Sequence, residues 1–244
     1  MSTGSAAAAA TLLDIGAASL SFSVFADSVL EHYRGDFHNR VMYAGPGVAA
    51  ATLFALVADA AERPVSRAAP VYGTAVAAGL VGTGFHVRNV LRRPGGLSWE
   101  NLFHAAPVAA PLGLTFAGIF GLTAARVRRG RTDGPTARAV LALAALGLAG
   151  TAAEAGMLHF RGAFQDPFMY LPVTVPPAAA AGIAATLAVG DARAERVTRS
   201  LLTATAAIGV AGMGFHAWGI HRNMGGWHNW KQMLLQGPPL PAPP

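Results

Sequence analysis

Four histidines, His32, His86, His159 and His216, fall at the ends of long apolar stretches in a chain that has eight histidines and no cysteine. Imidazole without thiolate suits iron, copper, manganese or zinc, and it suits b-type haem, which needs no cysteine for attachment. Carboxylates accompany two of the four: Asp27 precedes His32, and Glu154 precedes His159, by five residues each. Glu31 adds a third acid in the first half of the chain. An ionised side chain deep in a bilayer costs about 2.5–3.5 kcal/mol, so it normally pairs or does chemistry. The predicted metal or haem ligands are therefore His32, His86, His159, His216, Asp27, Glu31 and Glu154. Arg34, Arg88 and Arg161 each follow one of these histidines by two residues. A guanidinium fork is shaped for carboxylates or haem propionates. Trp99 and Trp230 are placed to stack on a cofactor or a quinone, or to sit in an interfacial aromatic belt.

The spacing repeats. EHYRGDFHNRVMYAGP at 31–46 returns as LHFRGAFQDPFMYLP at 158–172. His32, Arg34, Gly35 and Phe37 align with His159, Arg161, Gly162 and Phe164 at an offset of 127. Gly84-Phe85-His86 aligns with Gly214-Phe215-His216, and Gly95-Gly96 with Gly225-Gly226, at an offset of 130. Trp99 and Pro107 match Trp230 and Pro238. Such self-similarity points to a duplicated unit, with a first repeat over 1–134 and a second over 135–244. Within each repeat a proline follows each histidine turn, at Pro46, Pro107 and Pro172, and is expected to open the next helix.

These groups need a scaffold, and the scaffold is apolar. Charged residues make up 12% of the chain and hydrophobic ones 53%, against about 25% charged in soluble domains. The pattern predicts an all-α integral membrane protein with seven transmembrane helices, near 12–32, 41–60, 70–91, 102–125, 137–159, 168–189 and 200–221. A bilayer core needs roughly 20 apolar residues in a helix. The repeats are then parallel, four helices followed by three, and GPPLPAPP at 237–244 stands where an eighth would begin. Proline cannot continue a helix there. An eighth-helix slot is expected, to be filled by a partner subunit or by a second copy of the chain. Helices 3 and 7 carry Gly79, Gly82 and Gly84, and Gly209, Gly212 and Gly214, a spacing that lets helices approach closely.

All eight histidines and all four tryptophans fall on the segments following odd-numbered helices. The opposite loops, at 62–67, 126–138 and 191–199, hold ten of the eighteen Lys and Arg, and the histidine side holds eight. Positive residues favour the cytoplasm. The expected address is a bacterial-type inner membrane, with the N-terminus cytoplasmic and the histidine face and C-terminus periplasmic. The N-terminal apolar stretch has no Lys or Arg before it, so it reads as a helix of the fold and not as a signal peptide. The net charge of +6 is spread over short loops, which suits lipid headgroups and not nucleic acid. No Walker loop, dinucleotide fingerprint, H-E-x-x-H or serine elbow is present.

Three functions follow as expectations. The first is a redox or electron-transfer subunit holding haem b or a transition metal near the periplasmic face. The second is a small-solute or proton-coupled transporter using Asp27 and Glu154. The third is a structural or assembly subunit whose turns only grip headgroups or a partner. Histidine, arginine and tryptophan all suit that interface, and His38, His104, His221 and His228 read as such anchors.

Overall fold

The computed structural model describes residues 3–61, 68–105, 107–131, 133–223 and 225–237. Among them there is no strand. The α-helices run α1 Thr3–Arg34, α2 Ala44–Ala60, α3 Ala68–Leu91, α4 Trp99–His104, α5 Leu112–Arg128, α6 Gly134–Arg161, α7 Leu171–Val189, α8 Ala192–Asn223 and α9 Trp230–Gln236. Six helical stretches are long and apolar enough to cross a membrane: Gly4–Arg34, Arg40–Ala60, Ala68–Leu91, Gly134–Arg161, Pro167–Val189 and Ala192–Arg222. Large apolar side chains point outward from them, Phe54, Val81, Leu146 and Val210 among them. That is the pattern of a multi-pass bundle whose outer solvent is lipid.

The stretch expected as one helix over 102–125 is divided. α4 ends at His104, and α5 begins at Leu112 behind Pro111. Pro107 therefore opens no helix, whereas Pro46 and Pro172 sit in the first turns of α2 and α7 as expected. Two prolines four residues apart remove two amide donors and obstruct the preceding turn, so the chain bends before α5 can start. α5 keeps 17 residues, a length of about 25 Å. The basic loop at 62–67 and all but the first residue of GPPLPAPP lie outside the described residues.

The chain forms two compact units. The first comprises Met1–Thr132 with Gly219–Ala242, and the second Asp133–Trp218 with Pro243–Pro244. The first boundary falls close to the expected repeat junction, and the second falls inside α8.

In the first unit, α5 packs against α1 and α3, and α2 against α1 and α3. The sequence cause is a stripe of small residues spaced alternately three and four apart. On α1 the fully buried residues are Ala10, Asp14, Ala17 and Ser21. On α2 the buried residues include Ala49, Thr52, Leu56 and Asp59, on α3 Ala68, Tyr72, Ala75 and Gly79, and on α5 Leu114, Ala117, Gly121 and Ala124. This spacing keeps one seam facing its neighbour, and small side chains let the backbones close up. At Gly79 an added Cβ would lie 2.2 Å from Thr115 Oγ1 and 2.7 Å from the Pro111 carbonyl oxygen. Ser21 donates to the Ala49 carbonyl at 3.1 Å, which ties α1 to α2.

In the second unit, α6 starts on an Asp133 cap that accepts from the Thr136 amide at 2.8 Å, with Pro135 in its first turn. α7 ends at Gly190, whose φ of 69° reverses the chain. Thr186 and Thr198 share a hydrogen bond of 2.9 Å between α7 and α8.

Candidate functional site: the histidine turns

His32 lies in the last turn of α1 and His159 in the last turn of α6. Each chain end then bends back in the same way. Asp36 and Phe37 take φ values of 57° and 43°, and Ala163 and Phe164 take 57° and 47°. Left-handed backbone costs a residue with a Cβ about 1–2 kcal/mol, so two in succession must be held by their surroundings. Phe37 stacks on Tyr43 at 4.2 Å and meets the His32 ring edge-on at 5.9 Å. Phe164 stacks on Tyr170 at 4.7 Å and meets His159 edge-on at 6.1 Å. A short 3₁₀ turn follows each bend, over Arg40–Tyr43 and Pro167–Tyr170, capped by Asn39 and Asp166. The repeated letters Gly, Phe, Met and Tyr thus build one kind of cradle around one kind of histidine.

The cradle dictates which ring nitrogen carries the proton. His32 Nδ1 lies 2.7 Å from the Met42 carbonyl oxygen, and His159 Nδ1 lies 2.8 Å from that of Met169. His86 Nδ1 lies 2.8 Å from the carbonyl oxygen of Pro107. A carbonyl only accepts, so in all three neutral rings Nδ1–H donates and Nε2 keeps its lone pair. A backbone partner on the second nitrogen is also how metal-ligating imidazoles are usually oriented.

One pair of these histidines meets ring to ring, within the second unit. His159 and His216 have ring centroids 6.4 Å apart with planes at 62°. Two imidazoles bonded in line to one ion, through metal–nitrogen bonds of about 2.0 Å, put their centroids roughly 6–6.5 Å apart. His32 lies within electrostatic reach of His86. His86 and His216 lie between one and two turns before the ends of α3 and α8, close to the ends expected at 91 and 221. α3 runs on to Leu91 and α8 to Asn223, because neither histidine is followed by a left-handed bend.

The predicted acids and cations are distributed less evenly. Asp27 is half-buried on α1 within electrostatic reach of Glu31 and Arg34. Glu31 is exposed and pairs with Arg34 Nη1 at 2.5 Å. The remaining donors of Arg34 go to the carbonyls of Leu234, at 3.0 Å from Nε and 2.5 Å from Nη2, and Gly237, at 2.7 Å. Arg34 thus fastens the end of α9 to the end of α1. Arg88 is exposed on α3, and Glu154 is half-buried on α6. Arg161 is the last residue of α6. Trp99 opens α4 and Trp230 opens α9, both exposed, and Trp230 lines a small groove with Leu30, Tyr33 and Leu234. Gly95, Gly96, Gly225 and Gly226 all have positive φ, as turn glycines should.

Among the described residues no three His, Asp or Glu side chains gather in a metal-holding group. The donor sets to consider are therefore His32 with His86 in the first unit and His159 with His216 in the second. Two imidazoles would suit b-type haem, or an ion completed by exogenous ligands, better than a cage made of protein alone.

A second polar centre escaped the sequence reading. Asp14 on α1 and Asp59 on α2 both turn to Arg128 at the end of α5. Arg128 Nη2 donates to Asp14 Oδ2 and, at 3.1 Å, to the Asp59 carbonyl, while Nη1 lies 3.9 Å from Asp59 Oδ2. The Tyr72 hydroxyl donates to Asp59 Oδ2 at 2.7 Å. Asp14 and Asp59 fall within the helices expected over 12–32 and 41–60, and no motif or repeat singles them out. The signal that could have found them is the small-residue stripe, which passes through both.

The chain matches no protein-family model, and no curated protein or solved structure matches it.

Proposed function

We propose that the chain is a multi-pass membrane redox subunit that binds b-type haem or a transition metal through paired histidines, His32 with His86 and His159 with His216. The observation that carries this reading is the set of Nδ1–carbonyl hydrogen bonds, which leave Nε2 of His32, His86 and His159 as lone-pair donors. The 6.4 Å separation of His159 and His216 supports it, as does the strained backbone retained beside both turn histidines. Strain of that kind persists where a site over-determines it. Such a centre, when bound, supplies one-electron transfer. The protein's part is to hold the rings, fix their tautomer and shield them from water. In this reading Asp27, Glu31 and Glu154 tune the charge around the ligands, and Arg34, Arg88 and Arg161 offset anionic groups. Trp99 and Trp230 would stack on the cofactor or on a quinone. α5 serves as a seventh crossing, the two halves are parallel repeats, and the histidine face is periplasmic. The place α5 holds in the first half is filled in the second by a partner helix or another copy. The test is elemental analysis with oxidised and reduced optical spectra on detergent-purified protein. Stoichiometric metal, with a redox-sensitive band if haem is the group, supports the reading. A colourless, metal-free preparation from membranes of a haem- and metal-replete host overturns it.

A further inference from the structure

The polar centre of α1, α2, α3 and α5 has an unbalanced charge. Two carboxylates, Asp14 and Asp59, face one guanidinium, that of Arg128, and one phenol, that of Tyr72. Among the described residues these are the titratable groups at the site from the four helices that enclose it. The Asp14 side chain is 0% exposed and that of Asp59 is 5% exposed. With both acids ionised the centre would hold a net charge of −1 away from water, which is costly unless a cation neutralises it. The hydrogen bonding is also incomplete. Asp14 Oδ2 and Asp59 Oδ2 are occupied by Arg128 and Tyr72, but Asp14 Oδ1 and Asp59 Oδ1 are buried and have no hydrogen-bond partner among the described residues. Two buried oxygens with nothing to accept, beside one surplus negative charge, specify a small cation as the missing component. The smallest, a proton, cancels the charge and turns one of the two unpartnered acceptors into a donor.

We propose that Asp14 and Asp59 together bind one exchangeable proton, making this cluster a proton-binding site within the helical bundle. The site is separate from the histidine turns. Asp14 lies about 27 Å from His32 along the axis of α1, and the inference does not rest on any metal or haem being bound there. The step involves no redox change: a proton from solvent adds to one carboxylate oxygen and returns the same way. Arg128 keeps its charge throughout, and Tyr72 remains a donor to Asp59.

Infrared difference spectroscopy on the full chain in detergent, with isotope-labelled aspartate, tests this. At neutral pH the wild type should show a protonated-carboxyl C=O band that carries the aspartate label and shifts in deuterium oxide. Asp14→Asn and Asp59→Asn should each abolish it, because either change leaves one carboxylate balanced against Arg128 and no proton is needed. Both variants stay charge-balanced, which favours their folding. Should either fail to fold, the wild-type band is decisive with the other. A wild type with no labelled acid band overturns the proposal, since both acids are then ionised around water. So does a band unchanged in both variants, which would belong to another aspartate such as Asp27. A band that appears only when sodium is replaced by a bulky organic cation overturns it too, because the resident cation would then be sodium.

Discussion

His159 and His216 face one another from α6 and α8, with ring centroids 6.4 Å apart. Phe168, in the 3₁₀ turn after α6, and Phe215, next to His216 on α8, stack at 4.9 Å. Three local choices produce the histidine contact. The bend after α6 directs Met169 back to His159, the carbonyl of Met169 takes the Nδ1 proton, and Phe164 blocks the ring from turning. In the first unit the same choices place His32.

The ligand pairs can be tested one at a time. If both proposed pairs hold a metal, replacing His159 or His216 by alanine removes one of the two, and bound metal per chain should fall to about half. Elemental analysis of the purified variants measures this. Metal content equal to wild type in both variants would locate the ligands elsewhere.

Arg128→Ala leaves Asp14 and Asp59 buried without their cation. Removing one partner of a buried ion pair costs roughly 3–5 kcal/mol, so the midpoint of thermal unfolding in detergent should drop sharply. Tyr72→Phe removes a single donor to Asp59 and should cost about 1.5–3 kcal/mol. An Arg128→Ala effect smaller than that of Tyr72→Phe would mean that the guanidinium is not what balances the acids.

Gly79→Ala forces a methyl into the space held by Thr115 and Pro111 of α5. Overpacking of this kind costs about 1–3 kcal/mol. Gly84→Ala on the same helix is its control, since nothing lies within 4 Å of the added carbon. The two unfolding midpoints should separate clearly, and equal midpoints would contradict the close α3–α5 contact.

Arg34→Ala removes the hydrogen bonds to the Leu234 and Gly237 carbonyls. Amide exchange over Trp230–Gln236 should accelerate at least several-fold, because a helix of 7 residues is marginal without tertiary support. Unchanged exchange in that helix would show that apolar contacts with Leu30 and Tyr33 suffice to hold it.

Long apolar runs, the doubled histidine turn and the turn glycines could all be read from residue types alone. Length and hydropathy settle whether a helix can cross a bilayer, and two adjacent glycines announce positive φ. The break before α5 was harder to see, since Pro107 and Pro111 sit in a stretch as apolar as its neighbours. Asp14 and Asp59 were harder still. As letters no motif or repeat singled them out, while in the structure they lie on the buried stripes of α1 and α2.

By itself the sequence determined that this chain builds apolar helices, and that its imidazoles, supported by few acids and no thiol, recur at matched intervals. Those properties are local, and each follows from a residue and its near neighbours. Only the tertiary structure decided that His159 meets His216, that Arg34 is spent on the carbonyls at the end of α9, and that two aspartates share one arginine. Each of these joins residues far apart in the chain. Partners of that kind are chosen by which helix faces pack together, and the packing depends on small side chains matching across every interface at once.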